Sequence, residues 1–414
     1  MILKSSPRKY SVLIKTIVSL HMSILARNAV LLNRMTKLSQ ILVSLLLIAS
    51  PLFGQHRHVE VFVSNGVFKR DSTISEVLET WKSYLNSRPD SEYNNPFWND
   101  AEKSRYMKFD LAKDIFSPNL YALMAGYKPT VMSITDEKPF YKIRTLFASA
   151  DDSGFADPLA IEEVYAKREG RNFKLFNALP VNTREWSHKT IGSITYIFPP
   201  YHTFNDALAK KMSRFADSLS LITQIPSIPV DFYLADSYDE LAKARGLDFQ
   251  MGEGNVRLPS GHAEPDNRII YGSGINEYYP HELVHVYFGP LYPKAHAYFS
   301  EGIATELGGS HGLSLKQLLR RGDSLLTQKP SIHFDSLLYR FDDQLDYITS
   351  ATYLVGGLLC QMALDKGSWP LIRRLMKYDN SPESLFKAVD DTFGVKRQDY
   401  DLFIKQKISE YAKK

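Results

Sequence analysis

Two histidines spaced four residues apart constrain the fold of this chain more than any other feature of its sequence. Residues 281–285 read HELVH. Residues i and i+4 lie on one face of an α-helix, so the two imidazoles point to the same side. Pro280 suits the first turn of a helix, and Gly289-Pro290 ends one soon afterwards. The sequence therefore predicts a short helix here, with two imidazoles and the Glu282 carboxylate close together.

This helix has the pattern of a zinc site. His281 and His285 offer two neutral imidazoles to one metal ion, and a catalytic zinc keeps an open position for water beside three protein ligands. Glu282 can act as the general base that takes a proton from that water. The competing interpretation is a surface helix that carries two unrelated histidines.

A third ligand must come from another segment, because a hydrolytic zinc site has three protein ligands. Residues 299–307 read FSEGIATEL and offer two carboxylates, Glu301 and Glu306. Gly308-Gly309 follow, which predicts a second short helix that ends at this point.

The motifs HELVH and SEGIA together resemble the gluzincin metallopeptidases, a clan that includes thermolysin and the aminopeptidase N family. In that family the Glu of an Asn-Glu-Gly-x-Ala segment is the third zinc ligand, which implies Glu301. Fifteen residues separate His285 from Glu301, a few less than in the well-known families, whereas Glu306, after twenty, fits their spacing better. The motif thus implies Glu301 as the ligand and leaves Glu306 for a hydrogen bond to a ligand histidine.

The resemblance extends to a later helix. Residues 347–359 read YITSATYLVGGLL and resemble the tyrosine-bearing helix of the aminopeptidase N family. Its tyrosine stabilises the oxyanion of the reaction, which implies Tyr353 for this role and Tyr347 as the second candidate. The resemblance also implies one Zn²⁺ per chain and a peptide or protein substrate. A Gly-x-Met-Glu-Asn segment is absent, so endopeptidase and aminopeptidase activity both stay open, as does the oligomeric state.

Other segments near the metal motif are candidates for the cleft around it. Residues 261–264, which read GHAE, and His296 lie close to the motif in sequence. The segment 268–271 is predicted to be the edge strand, where a peptide substrate can bind by β-pairing. The single cysteine, Cys360, excludes an internal disulfide framework and lies in an apolar run typical of a core helix.

Hydrophobic patterning predicts an α+β fold with two domains. Residues 55–183 combine helices with alternating strands, and this domain resembles the cone-shaped nuclear-transport-factor-like roll. Residues 184–414 begin with strands and become mostly helical beyond Tyr279, as in a gluzincin-type metallopeptidase domain. In the first domain the predicted helices cover 73–88 and 102–123, and the predicted strands cover 140–147, 161–168 and 173–179.

Residues 1–54 have the composition of a targeting region. They contain seven basic and no acidic residues, and the 12-residue apolar run 38–49 follows Lys37. This layout predicts a secretory signal peptide cleaved after Gly54, with Met35 as a possible true start, and hence export to the periplasm or the medium. The run is short for a membrane span, so no stable membrane anchor is expected.

The remaining chain gives no reason to expect a nucleic-acid partner. Without residues 1–54 it has 43 basic and 46 acidic residues, a net charge of −3. Such a balance excludes a strongly basic binding surface set by overall charge. The leading hypothesis is an exported zinc peptidase. The alternative is a binding protein with a degenerate peptidase fold, whose N-terminal domain captures a ligand.

Overall fold

A computed structural model describes residues 59–87, 95–105, 127–150, 154, 156–250, 260–338 and 343–414. Val59–Lys414 make one compact unit. The predicted signal peptide lies outside the described residues, and the predicted domain boundary at residue 183 stays a prediction. The predicted mixture of helices and strands is confirmed, with two separate sheets, whereas the nuclear-transport-factor-like roll stays a prediction.

Eleven strands and twelve α-helices are found among the described residues. The strands are β1 Phe62–Val63, β2 Lys128–Glu137, β3 Phe140–Ala150, β4 Ala156–Glu169, β5 Asn172–Phe176, β6 Ser187–Ile191, β7 Ile194–Phe198, β8 Val230–Ala235, β9 Leu247–Gln250, β10 Ser260–Glu264 and β11 Ile269–Ser273. The helices are α1 Ser72–Leu85, α2 Asp100–Arg105, α3 Ala178–Asn182, α4 Asp206–Thr223, α5 Tyr238–Arg245, α6 Pro280–Phe288, α7 Ala297–Gly308, α8 Leu315–Gln328, α9 Phe334–Leu337, α10 Ala351–Leu375, α11 Pro382–Phe393 and α12 Tyr400–Lys413.

The first sheet is mainly antiparallel and runs in the order β1-β2-β3-β4-β5, with β9 also paired to β4. Helix α1 packs against it because its apolar residues recur with helical spacing, and Asp71 caps its first turn. Trp81 is buried there, and its indole N–H donates to Thr145 Oγ1 at 2.9 Å. The predicted first helix and the strands at 140–147 and 161–168 are thus confirmed, whereas the strand predicted at 173–179 ends at Phe176 because helix α3 begins at Ala178. Most of the predicted helix 102–123 lies outside the described residues.

The second sheet has the order β10-β11-β8-β7-β6. Its three central strands are parallel, and the two outer strands β10 and β6 are antiparallel to their neighbours. The predicted edge strand at 268–271 is wrong, because β11 lies between β8 and β10. The edge strand next to β11 is β10, whose small and polar residues give no apolar alternation in the sequence.

The chain after β11 is mostly helical, as predicted. Helices α7 and α10 cross in direct backbone contact, since a Cβ placed on Gly302 would overlap the backbone of Gly356, and one on Gly356 would overlap the carbonyl of Tyr298. Cys360 is buried in α10. Across the described ranges, none of the helices is both long enough and apolar enough to cross a membrane.

The contact between α7 and α10 predicts unequal effects for two neighbouring glycines. Gly356→Ala places a methyl group against rigid backbone, whereas the same methyl at Gly357 meets the end of the Leu315 side chain. Both changes gain the same helix propensity, so their difference reports the overlap. We expect Gly356→Ala to unfold with about 1–3 kcal/mol less free energy than Gly357→Ala in urea denaturation. Equal stability of the two variants would show that the helices separate freely.

Candidate metal centre

The two motif histidines lie on α6, as the sequence predicts. Pro280 occupies the first turn of this helix, and the helix ends at Phe288 with Gly289 behind it. The Nε2 atoms of His281 and His285 are 3.3 Å apart. The i and i+4 spacing thus brings two imidazole nitrogens to one point.

Glu301 reaches the same point from α7. Its Oε2 atom lies 3.2 Å from the Nε2 atom of His281 and 3.2 Å from that of His285. Tetrahedral zinc with bonds of about 2.0–2.1 Å separates its ligand atoms by about 3.3–3.4 Å. The three atoms therefore form a triangle of the size that zinc requires, with two imidazoles and one carboxylate as donors.

The backbone after α7 fixes the ring of His281. The Nδ1 atom of His281 lies 2.6 Å from the carbonyl oxygen of Gly309, to which Nδ1–H donates. This bond leaves the Nε2 lone pair for the triangle. Gly308 allows this approach, because a Cβ there would lie 2.5 Å from the His281 backbone nitrogen.

Glu301 is ionised in this arrangement. Burial alone would raise its pKa, but the contacts of its carboxylate with the imidazoles of His281 and His285 outweigh burial and hold the pKa well below its usual range. Burial likewise would lower the pKa of His285, and the Glu301 carboxylate raises it instead. The site therefore places an ionised carboxylate at the position that a metal cation would take.

Glu306 lies away from this cluster. Burial raises its pKa to about 7, with Asp365 adding a further negative charge nearby. Its buried Oε2 atom has no hydrogen-bond partner among the described residues. The sequence predicts a hydrogen bond from a ligand histidine to Glu306, but at His281 the carbonyl of Gly309 accepts this bond.

Glu282 is buried next to the two histidines, with 7% of its surface exposed. Burial raises the pKa of its carboxyl group, while the histidines and the backbone N–H of Ala263 on β10 lower it in part. Gly261 on the same strand also lies close to Glu282, since a Cβ there would lie 2.8 Å from Glu282 Cγ and overlap the ring of Tyr279. The edge strand thus orients the candidate base.

Tyr353 faces the metal ligands from α10. Its ring centroid lies 5.7 Å from that of His281, and the two rings meet edge to face. Burial raises the pKa of its hydroxyl, and the Glu301 and Glu282 carboxylates raise it further. Tyr347, the second candidate, is 74% exposed and lies over Arg321 instead.

Two site residues are missed by the sequence analysis. The Tyr279 hydroxyl accepts a hydrogen bond from the backbone N–H of Gly261, beside Glu282. His311 lies in a tight turn after α7 with a φ of 49°, and its ring centroid is 6.1 Å from that of Tyr353. Neither belongs to a recognisable motif. His296, by contrast, caps α7 by accepting a hydrogen bond from the Tyr298 N–H.

A buried ion pair anchors the segment that leads into α6. Glu277, 1% exposed, accepts hydrogen bonds from the Asn205 N–H at 2.7 Å and from His202 Nε2 at 3.1 Å. The other ring nitrogen of His202 lies 2.8 Å from Asp236. Only a protonated imidazole can donate to both carboxylates. His202 thus ties the ends of β7 and β8 to the start of the metal helix.

A second group of possible metal ligands lies at the surface: His333, Asp335 and Asp401. Asp401 already accepts hydrogen bonds from the Phe334 N–H at 2.7 Å and pairs with Lys405 at 2.8 Å. These contacts already compensate the negative charge of the Asp401 carboxylate. The triangle on α6 and α7 is therefore the better metal site.

Comparison with known proteins gives no match to a protein-family model and none to a curated protein. Similar solved structures include an M1 zinc metallopeptidase from Deinococcus radiodurans, as a mutant (11% identity, TM-score 0.30), without a mutation named (12%, 0.28) and as a mutant bound to a Tyr-Ser-Ala substrate (13%, 0.28). Each match covers 69% of this chain, which spans 64% of the matched chain's length. They are distant neighbours, and the function proposed below rests on the geometry of the site.

The triangle predicts how two carboxylates on α7 differ. Glu301→Ala removes one of three ligand atoms, whereas Glu306→Ala removes a group outside the cluster. We expect Glu301→Ala to lower zinc affinity by far more than about 100-fold, the upper range for losing a group that only supports a ligand. Competition with a chelator of known affinity measures both variants. Weaker zinc binding in Glu306→Ala than in Glu301→Ala would show that Glu306, and not Glu301, is the third zinc ligand.

The His202 ion pair predicts a pH-dependent contribution to stability. Burial would lower the pKa of His202, but hydrogen bonds to Asp236 and Glu277 raise it overall. A raised pKa in the folded state stabilises fully below about pH 6.5, the usual value, and this stabilisation is lost as pH rises through the raised pKa. At about pH 6 we expect His202→Gln to be about 1–2 kcal/mol less stable than the wild type.

The difference between the wild type and His202→Gln should then shrink towards about pH 9, in urea denaturation at each pH. His188→Gln, at an exposed histidine on β6, is the matched control and should follow the wild type. A difference that grows with pH would show that His202 is neutral in the folded protein.

Proposed function

We propose that this chain is an exported zinc-dependent peptidase. The observation that carries the proposal is the triangle of His281, His285 and Glu301, with ligand atoms 3.2–3.3 Å apart. Two further groups complete a hydrolytic site around it: the buried Glu282 carboxylate and the Tyr353 hydroxyl. The donors are the borderline nitrogen and oxygen ligands that suit Zn²⁺.

Zinc held by these three residues would polarise the substrate carbonyl and lower the pKa of a water molecule. Glu282 takes a proton from that water and then passes it to the leaving amine. Burial raises its pKa, which makes the carboxylate a stronger base than an exposed one. The Ala263 N–H holds the carboxylate towards α6 during both steps.

Tyr353 acts on the substrate oxygen. Its hydroxyl keeps its proton because burial and the neighbouring carboxylates raise its pKa. A protonated hydroxyl can donate a hydrogen bond to the oxygen on which negative charge develops. The contact of α10 with α7 at Gly356 holds the tyrosine at a fixed distance from Glu301.

The expected substrate is a peptide or protein. Pairing with β10 is limited, because the N–H groups of Gly261 and Ala263 already donate to Tyr279 and Glu282. Substrate side chains must therefore supply part of the binding energy.

Export is proposed from the composition of residues 1–54. N-terminal sequencing of the protein from its native host tests this part. A mature chain that begins near Gln55 supports export, and an intact Met1 or Met35 contradicts it.

The proposal makes a direct prediction for Glu282→Gln. This change keeps the shape of the side chain and removes the basic carboxylate, so zinc content and folding should match the wild type. Peptide hydrolysis should fall by about 10²–10⁴-fold, the usual contribution of a positioned general base. A peptide library assayed at equal zinc occupancy measures this effect.

Glu306→Gln is the matched control, since it neutralises a buried carboxyl group outside the metal cluster. It should retain the wild-type rate. Full activity of zinc-loaded Glu282→Gln would refute the mechanism. If zinc-loaded wild-type protein cleaves no peptide, the binding-protein alternative is the better interpretation.

A further inference from the structure

Tyr353 must be oriented without the help of its hydroxyl group. In the proposed mechanism this hydroxyl donates to the substrate oxygen, and none of the described residues forms a hydrogen bond with it. The backbone contact of Gly356 with Tyr298 fixes the position of α10, but it does not fix the rotation of the Tyr353 side chain. The position of the hydroxyl therefore depends on contacts of the tyrosine ring.

Two imidazole rings contact the Tyr353 ring within the described part of the chain. The centroid of the His281 ring lies 5.7 Å away at an interplanar angle of 85°, and that of the His311 ring lies 6.1 Å away at 77°. These distances and edge-to-face angles are those of favourable aromatic pairs. His281 belongs to the metal triangle and is held by Gly309. His311 is the contact that can orient Tyr353 without also serving as a ligand.

His311 lies in a turn whose backbone favours other residues. Ser310 and Leu313 exchange two backbone hydrogen bonds of 2.9 Å. Both residues between them have positive φ, 49° at His311 and 75° at Gly312. Two-residue turns of this kind prefer Asn-Gly, because asparagine and glycine adopt positive φ at low cost. A histidine is therefore less favourable for this turn than an asparagine.

The imidazole of His311 has a second unfavourable feature. Its Nδ1 atom is buried and has no hydrogen-bond partner among the described residues. An unpaired buried polar atom lowers stability. Neither the turn nor hydrogen bonding thus explains a histidine at this position, and such local conflicts are expected where a residue serves function.

The same short segment also holds a metal ligand. The Gly309 carbonyl accepts the hydrogen bond from Nδ1 of His281, and His311 follows Gly309 by two residues. The paired backbone groups of Ser310 and Leu313 close the turn. One segment therefore contacts both His281 and Tyr353, so it can set the distance between the metal position and the tyrosine hydroxyl.

We propose that His311 is a positioning residue that acts through Tyr353. Its ring holds the ring of Tyr353 in the orientation in which the hydroxyl reaches the substrate oxygen, and His311 itself makes no contact with the substrate. This inference rests on the proposed function, and it adds a residue that the same site needs for full activity.

Substitution by asparagine removes the ring and keeps the turn. His311→Asn should lower kcat by about 10–100-fold at equal zinc occupancy and leave KM nearly unchanged, because a hydroxyl misplaced by about 1 Å loses its bond in the transition state. Its melting temperature should equal or exceed that of the wild type, since asparagine fits the turn. His311→Gly also permits positive φ and should reproduce both results. Wild-type kcat in these variants would overturn the proposal.

A double-mutant cycle with Tyr353→Phe shows whether His311 acts through the tyrosine. Tyr353→Phe lacks the hydroxyl, so adding His311→Asn to it should cause no further loss of kcat. The same loss in both backgrounds would overturn the proposal, because His311 would then act on the substrate or on the fold as a whole.

Gln224→Asn is the matched control. Gln224 follows the last residue of α4 with a φ of 61°, so this change places asparagine at another residue of positive φ, on an element that carries none of the site residues. It should retain the wild-type kcat and KM. A loss as large as that of His311→Asn would show that the effect is not specific to the turn after α7, and would also overturn the proposal.

Crystal structures of the zinc-loaded proteins distinguish failure of this inference from failure of the proposed function. The Tyr353 ring should have one orientation in the wild type and should rotate or occupy two orientations in His311→Asn. If the ring moves in this way and the wild type cleaves no peptide, the proposed function is wrong and the positioning role stands. If the ring keeps its wild-type orientation in His311→Asn, the positioning role is wrong whatever the activity.

Discussion

Backbone contacts between three helices set the geometry of the whole site. Gly308 at the end of α7 lies against the backbone of His281 on α6, and Gly302 lies against Gly356 on α10. A side chain at any of these glycines would separate the helices that carry the metal ligands and Tyr353. Close packing of rigid elements thus replaces a network of flexible side chains as the support of the centre.

This packing also brings the charged groups of the site close together. Glu282, Glu301 and the two histidines are brought together in a largely buried position, where an unpaired charge is costly. Glu301 stays ionised because the histidines contact it, while burial raises the pKa of Glu282. One metal ion at the triangle would compensate the negative charge and leave Glu282 free to exchange a proton.

The sequence reveals those parts of the site that lie in local patterns. The spacing of His281 and His285 predicts both the helix and the meeting point of the imidazoles, and the short motif around Glu301 leads to the third member of the triangle. The helical order beyond Tyr279 follows from apolar periodicity. In each case, neighbours in the chain determine the geometry.

The remaining parts depend on contacts between distant segments and leave no local pattern. The carbonyl of Gly309 accepts a hydrogen bond from His281, yet in the sequence Gly308 and Gly309 only predict the end of a helix. His311 lies near Tyr353 in a turn with positive φ, and Glu277 pairs with His202, which is 75 residues away in the sequence. The sequence does not reveal the edge strand β10, because its small and polar residues show no apolar alternation. In the sequence, Glu277 is recognisable only as a charged residue four positions before the metal motif.

Anomalous diffraction at the zinc absorption edge, on crystals of the zinc-loaded wild-type protein, tests the central claim most directly. The account predicts one zinc ion per chain, within about 2.0–2.2 Å of Nε2 of His281, Nε2 of His285 and a carboxylate oxygen of Glu301. A zinc peak at the surface group around Asp401, or no peak near α6, would contradict it.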